Sequence, residues 1–213
     1  MNVRVSSPRC RTTHGFSLVE LLVVMAIVAI LTAAAVSAFR SVNSSLNLTT
    51  ASQMVTNELT TARQTALTLD EAVQVRFYQY PDITGATTTQ EYQAMQAFSV
   101  KSGVYTPLEK ITYLPRNIMI SSNTTYSSPL GGDSTSSPAT TDPSILANNI
   151  GQSYKYDSLT FKSNGAIDPA PSTTTGTWYI TLYEKKYAIS GTPVNFITIN
   201  LDGVDGRVRV FQP

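Results

Sequence analysis

Histidine and cysteine are almost absent from this chain of 213 residues: Cys10 and His14 are the only ones, and both precede Gly15. Residues 16–213 therefore cannot form a disulfide, offer a thiolate nucleophile, build a zinc site on cysteine or histidine, or run histidine acid–base chemistry. That removes most enzyme classes. There is no Walker loop, no Gly-x-Ser-x-Gly and no evident pair of catalytic carboxylates, so neither an enzyme nor a cofactor is expected. Charge is scarce too. Charged residues make up 14% of the chain, well below the usual quarter or so. The net charge is +1 from 15 basic and 14 acidic residues; without Arg4, Arg9 and Arg11 the balance is 12 against 14, or −2. Such a balance exerts no general pull on nucleic acid. Finally, residues 16–80 contain no glycine and no proline, so nothing there obliges a helix to break.

That unbroken stretch opens with Gly15-Phe16-Ser17-Leu18-Val19-Glu20 and stays apolar to Phe39, with Glu20 as its one formal charge. A helix over 16–39 rises roughly 36 Å, enough for a hydrocarbon core of about 30 Å. The segment is read as a transmembrane helix. The basic residues ahead of it keep residues 1–15 in the cytoplasm and put the rest outside. A carboxylate this far inside a membrane helix is costly and calls for a partner.

Residues 40–69 continue with an apolar stripe at Leu48, Ala51, Val55, Leu59, Ala62, Ala66 and Leu69, the spacing of an amphipathic helix. Asn47, Gln53, Asn57, Glu58, Thr61, Arg63 and Gln64 fall on the polar side. One long helix is expected, with a break near Ser41–Ser45 as the alternative. From Ala72 the period becomes two, with Val73, Val75 and Phe77 alternating against Gln74, Arg76 and Tyr78, which marks a strand. Further strands are expected at 92–101 (or a short helix over 91–98), 117–121, 159–162, 177–184, 194–201 and 207–211. Residues 121–144 are rich in Ser, Thr, Pro and Gly and read as a surface loop. The domain plan is then a leader over 1–15, an anchor helix over 16–39, its amphipathic continuation over 40–69, and a sheet domain over 70–213. The fold class is α+β, with the helix laid on an antiparallel sheet.

Gly15, Phe16 and Glu20, after a short basic leader and before a long apolar helix, resemble the N-terminus of type IV prepilins. The resemblance implies cleavage between Gly15 and Phe16 by a prepilin peptidase, N-methylation of Phe16, and use of Glu20 in assembly with other pilin or pseudopilin subunits. It also implies a single-pass protein of the bacterial inner membrane, its C-terminal domain in the periplasm, incorporated in a pseudopilus or pilus. Thr61–Ala66 before a strand, Phe161 with Asn164-Gly165, and a last strand opened by Gly206-Arg207 resemble the H-type minor pseudopilins and FimT-like minor pilins, structural subunits of type II secretion or pilus-like filaments. Phe77–Tyr80, Tyr92–Gln96 and Leu114–Arg116 further resemble the set called Verru_Chthon cassette protein D. Ser37 stands where many major pilins have proline, and no cysteine pair closes a C-terminal loop; both departures favour a minor subunit.

Two other groups bear on function. Asn200, Asp202 and Asp205 lie near one turn, but the spacing lacks the density of oxygen ligands that calcium wants, and a hairpin turn explains both Asp-Gly pairs; no metal site is expected. Arg207 and Arg209, two apart on a strand, are where the alternative function of a FimT-like minor pilin binding DNA during uptake would lie. Against it, Val208 and Val210 would face in while the arginines form a solvated outer face. Trp178, Tyr179 and Tyr183 are read as sheet packing rather than a ligand platform.

Overall fold

The computed structural model describes residues 17–79, 91–130, 135–137, 154–168, 176–187 and 195–212, with backbone only at 34–44 and 135–137. One helix, α1, runs Leu18–Leu69 without interruption through 41–45. The strands are β1 Ala72–Gln79, β2 Ala94–Lys101, β3 Val104–Pro107, β4 Thr112–Tyr113, β5 Ile118–Ile120, β6 Thr135–Ser137, β7 Tyr154–Phe161, β8 Ile167–Asp168, β9 Thr177–Glu184, β10 Phe196–Asp202 and β11 Val208–Phe211. The class is α+β. The strands divide between two sheets, where a single one was expected. The first runs β3-β2-β1-β7-β6, with β4 beside β2 and β8 beside β7; the second runs β11-β10-β9-β5. Every pairing between these strands is antiparallel.

The chain falls into two compact units divided between Asn43 and Ser44. In the first, the apolar side chains from Leu18 to Leu31 stand exposed. Among the described residues no helix is long and apolar enough to cross a membrane; the span expected over 16–39 extends beyond the side chains described there.

In the second unit, Leu48, Ala51, Val55, Leu59, Ala62 and Ala66 are all at most 1% exposed. They share one core with Val73, Val75, Phe77, Leu159 and Phe161 of the first sheet and Trp178, Ile180, Leu182, Ile197, Ile199 and Leu201 of the second. Alanine at three of the six helix positions leaves room for the larger sheet side chains. Leu69, expected in the stripe, is 49% exposed. The helix stops there, and Asp70 takes the left-handed conformation (φ 53°), a C-terminal reversal that Asp tolerates better than most residues.

Residue Glu58 departs from the expected polar side: it is buried, and its Oε1 has no hydrogen-bond partner. Burial pushes its carboxyl above the usual carboxylate value, and the nearby Glu109 charge adds to the rise. A raised folded-state value means that Glu58 contributes stability below its unfolded value, near pH 4.5, and loses it as pH rises through the folded one. Glu58→Gln, which cannot ionise, is expected to be more stable than the parent at pH 7 by about 1 kcal/mol. Urea melts at pH 7 and near pH 4 check this; a gain that fails to shrink at the lower pH contradicts it.

The outer side of β1 is covered as well. Arg76, expected on a polar face, is 3% exposed. Its guanidinium lies 4.5 Å from the ring centres of Phe98 and Tyr156 and 4.6 Å from Tyr105, and its Nε donates to Gln74 Oε1 at 2.8 Å. Rings brought in by β2, β3 and β7 make that burial tolerable, because a guanidinium is weakly hydrated and stacks on aromatic faces.

The 121–144 stretch is more than a surface loop where it is described. Residues Ser121, Ser127 and Leu130 are buried. Ser128 Oγ accepts the Tyr179 N–H at 3.0 Å and Ser127 Oγ the Thr181 N–H at 3.2 Å, while the Ser121 N–H donates to Thr181 O at 2.9 Å. Serine side chains thus satisfy the part of β9 that β5 is too short to reach. Thr135–Ser137 then pairs with β7, and the remainder lies outside the described residues.

Candidate functional site

Of the residues expected to direct processing and assembly, Gly15 and Phe16 lie outside the described residues, as do Cys10 and His14. Glu20 stands in the first turn of α1, exposed, among the exposed side chains of Leu18, Val19, Leu21 and Leu22. A carboxylate in a first helical turn is favoured by the helix dipole. It is the one charged group among the described, exposed residues 17–33.

A second constellation forms at the C-terminal end. The turn after β10 is held by its own acidic side chains: Val204 N–H donates to Asp202 Oδ1 and Arg207 N–H to Asp205 Oδ1, both at 2.9 Å, and Gly206 N–H donates to Asp202 O at 2.8 Å. The two carboxylates are therefore engaged by backbone amides. Among the described residues no group of three or more His, Cys, Asp or Glu stands together.

Onto this turn the helix sends Arg63, whose Nε donates to Asp205 O at 2.6 Å across 142 residues of sequence. From the other side comes the turn at Asn164-Gly165, closed by Ala166 N–H to Asn164 Oδ1 at 3.0 Å. Gly165 and Gly206 both have positive φ, 82° and 68°. They touch so closely that a Cβ on Gly206 would collide with the Gly165 carbonyl and stand 3.2 Å from both Arg63 Cδ and Phe161 Cδ1. The three short motifs that carried the H-type resemblance, far apart in sequence, thus meet at one point: Arg63 of Thr61–Ala66, Gly165 after Phe161, and Gly206-Arg207.

Beside this junction Thr60, Arg63, Gly206, Arg207, Val208 and Arg209 line a cleft of about 300 Å³. Arg207 pairs with Asp205 at 2.7 Å while remaining two-thirds exposed, a surface pair worth little on its own. Arg209 is exposed on β11. The structure brings together the predicted Arg207 and Arg209 and adds Arg63 and Thr60, which the sequence reading had not joined to them. The valines differ from expectation. Val208 packs against the core, but Val210 is 49% exposed although it shares that face, because β11 is the last strand of its sheet and lies at the edge of the cover. Trp178 and Tyr183 are buried, and Trp178 belongs to the core.

Residues 10–36 match the family model described as the prokaryotic N-terminal methylation motif. The chain thus carries a prepilin-type N-methylation motif, and Gly15, Phe16 and Glu20 all fall within it. Among solved structures, the type IV minor pilin FimU of Pseudomonas aeruginosa is similar at 14% identity and a TM-score of 0.45, over 77% of this chain and 87% of that one. The minor pseudopilin EpsH from the Type 2 Secretion System of Vibrio cholerae is similar at 10% identity and a TM-score of 0.42, over 78% of this chain and 98% of that one. Likenesses of this size carry no inference about what the chain binds or joins. No curated protein matches the chain.

Proposed function

We propose that the chain is a minor pilin-like or pseudopilin-like structural subunit. A prepilin peptidase cuts it between Gly15 and Phe16, the new amine of Phe16 is methylated, and the product joins other subunits of a type II secretion or type IV pilus-like filament through its N-terminal helix. The observation that carries this reading is the methylation motif over 10–36. The exposed apolar surface from Leu18 to Leu31 supports it: such a surface needs lipid or neighbouring helices around it. Before assembly the 16–39 segment holds the protein in the inner membrane with the sheet domain in the periplasm. Glu20 then meets the Phe16 amine of a neighbouring subunit, so that neither charge is buried alone. Co-expression with a prepilin peptidase followed by intact-mass measurement tests the first step. The expected mass is that of residues 16–213 plus one methyl group; a product that retains residues 1–15 refutes it.

A second reading, a minor pilin that binds DNA during uptake, is favoured by the gathering of Arg63, Arg207 and Arg209 on one cleft. Asp205, paired with Arg207, weakens the local positive potential. Binding through phosphates must fall steeply with salt, so a gel-shift that is absent or insensitive to salt removes this reading.

A further inference from the structure

Strand β11 ends the second sheet, and no described strand pairs with its outer side. Which of its peptide groups face outward follows from the register. Asp202 N–H donates to Arg207 O at 2.9 Å. Beyond that pair, Leu201 lies opposite Val208, Asn200 opposite Arg209, Ile199 opposite Val210 and Thr198 opposite Phe211. Hydrogen-bonded and non-hydrogen-bonded pairs alternate along an antiparallel ladder. Arg209 and Phe211 therefore turn their peptide groups toward β10, while Val208 and Val210 point theirs out of the sheet.

The side chains along this edge are of two kinds. Val210 is 49% exposed on the core side, and Phe211 is 63% exposed beside Arg209 on the outer side. A row of outward amides, flanked by apolar side chains and a cation, is a template for one more strand.

We propose that the β11 edge receives an extended segment of another polypeptide, which adds as a fifth strand by pairing with Val208 and Val210. Its side chains set a carboxylate beside Arg209 and apolar groups beside Val210 and Phe211. Charge complementarity names the occupant. A second copy pairing edge to edge through β11 with Val208 opposite Val210 would set Arg209 against Arg209, and like charges facing across strands repel. Of the other described strands with an unpaired side, β3, β4, β5 and β6 carry no carboxylate, and the Asp168 of β8 is already paired with Lys162 at 2.9 Å. A nucleic acid would use Arg209 but leave the outward amides and the apolar flank unused. This surface is distinct from the N-terminal helix through which the chain is proposed to assemble.

Fluorescence anisotropy on the detergent-solubilised full chain tests it, with a labelled short peptide alternating valine and glutamate as probe. Binding at or below about 1 mM, the weak end of specific recognition, is expected, and no binding at that concentration overturns the proposal. Val210→Pro removes one outward N–H and spares the ladder to β10, since proline is tolerated on the solvent side of an edge strand. It is expected to weaken binding about tenfold or more, and so is Arg209→Glu. Hydrogen exchange at the Val210 amide should slow when peptide is added, a readout that stands even if Val210→Pro fails to fold. Unchanged exchange at Val210, or a folded Val210→Pro that binds as well as the parent, overturns the proposal. An oligonucleotide that displaces the peptide equally from parent and Val210→Pro does so too, because the site is then a polyanion patch rather than a strand edge.

Discussion

Gly206→Ala is expected to destabilise the sheet-bearing unit by about 3 kcal/mol or more, while Gly103→Ala costs about 1 kcal/mol. Both glycines have positive φ, 68° and 79°, so both substitutions incur the left-handed penalty of an L-residue. They differ in what the new methyl meets. A Cβ on Gly103 would meet nothing within 4 Å beyond its chain neighbours. At Gly206 the methyl collides with the Gly165 carbonyl, which is backbone and cannot rotate away, and presses on Phe161 and Arg63. Relief requires the 202–207 turn to lift from Gly165, which stretches the 2.6 Å bond from Arg63 Nε to Asp205 O. Parallel urea melts of the two variants isolate the packing contribution; equal losses would mean that the glycine-to-glycine contact contributes nothing. The same displacement would open the cleft, so Gly206→Ala should also weaken whatever binds at Arg63, Arg207 and Arg209.

Glu20→Ala is expected to leave processing intact and abolish assembly. The proposed cleavage is at the Gly15–Phe16 bond, which Glu20, in the first turn of α1, does not flank. Under the proposed pairing with Phe16, its loss leaves the neighbour's N-terminal amine in an apolar surround without a counter-charge. Breaking one partner of a buried pair costs about 3–5 kcal/mol, and the loss recurs at every subunit contact. Glu20→Asp keeps the charge on a shorter stem and should assemble partly. The measurement is shear-released filament against membrane-retained protein, both checked for mature mass. Normal incorporation of Glu20→Ala would discard the pairing of Glu20 with Phe16, and accumulation of uncleaved chain would show instead that Glu20 acts at the peptidase.

Much of the fold could be read from local pattern. The helical stripe from Leu48 to Ala66 is the buried face. Ala72–Gln79 and Thr177–Glu184 are strands where alternation demanded them. A signal went unused at Ser102-Gly103, where two successive positive φ values, 51° and 79°, make the tight turn that joins β2 to β3 and favours small or flexible residues. Other features had no local signal. Arg76 alternates as an outward residue should, yet rings from three other strands enclose it. Glu58 sits among polar residues in sequence, yet it is buried near Glu109 and Thr112. Serines that compose a low-complexity stretch become hydrogen-bond partners of β9 because β5 is short. The division of the strands into two sheets depends on which edges meet, and side-chain periodicity describes only which face of a strand is apolar.

The sequence by itself determined the N-terminal segment. The N-terminal methylation motif is linear: Gly15, Phe16 and Glu20 fall within one stretch, and the match over 10–36 needs no partner from elsewhere in the chain. It also determined what residues 16–213 cannot do, since without histidine or cysteine no folding brings those groups back. The C-terminal cleft and the open β11 edge were decided by tertiary structure alone. Arg63 is an ordinary polar-face residue until the helix packs 142 residues from its partner carbonyl. Gly165 and Gly206 are ordinary turn glycines until their backbones touch, because a contact between distant backbones leaves no periodic trace in either one.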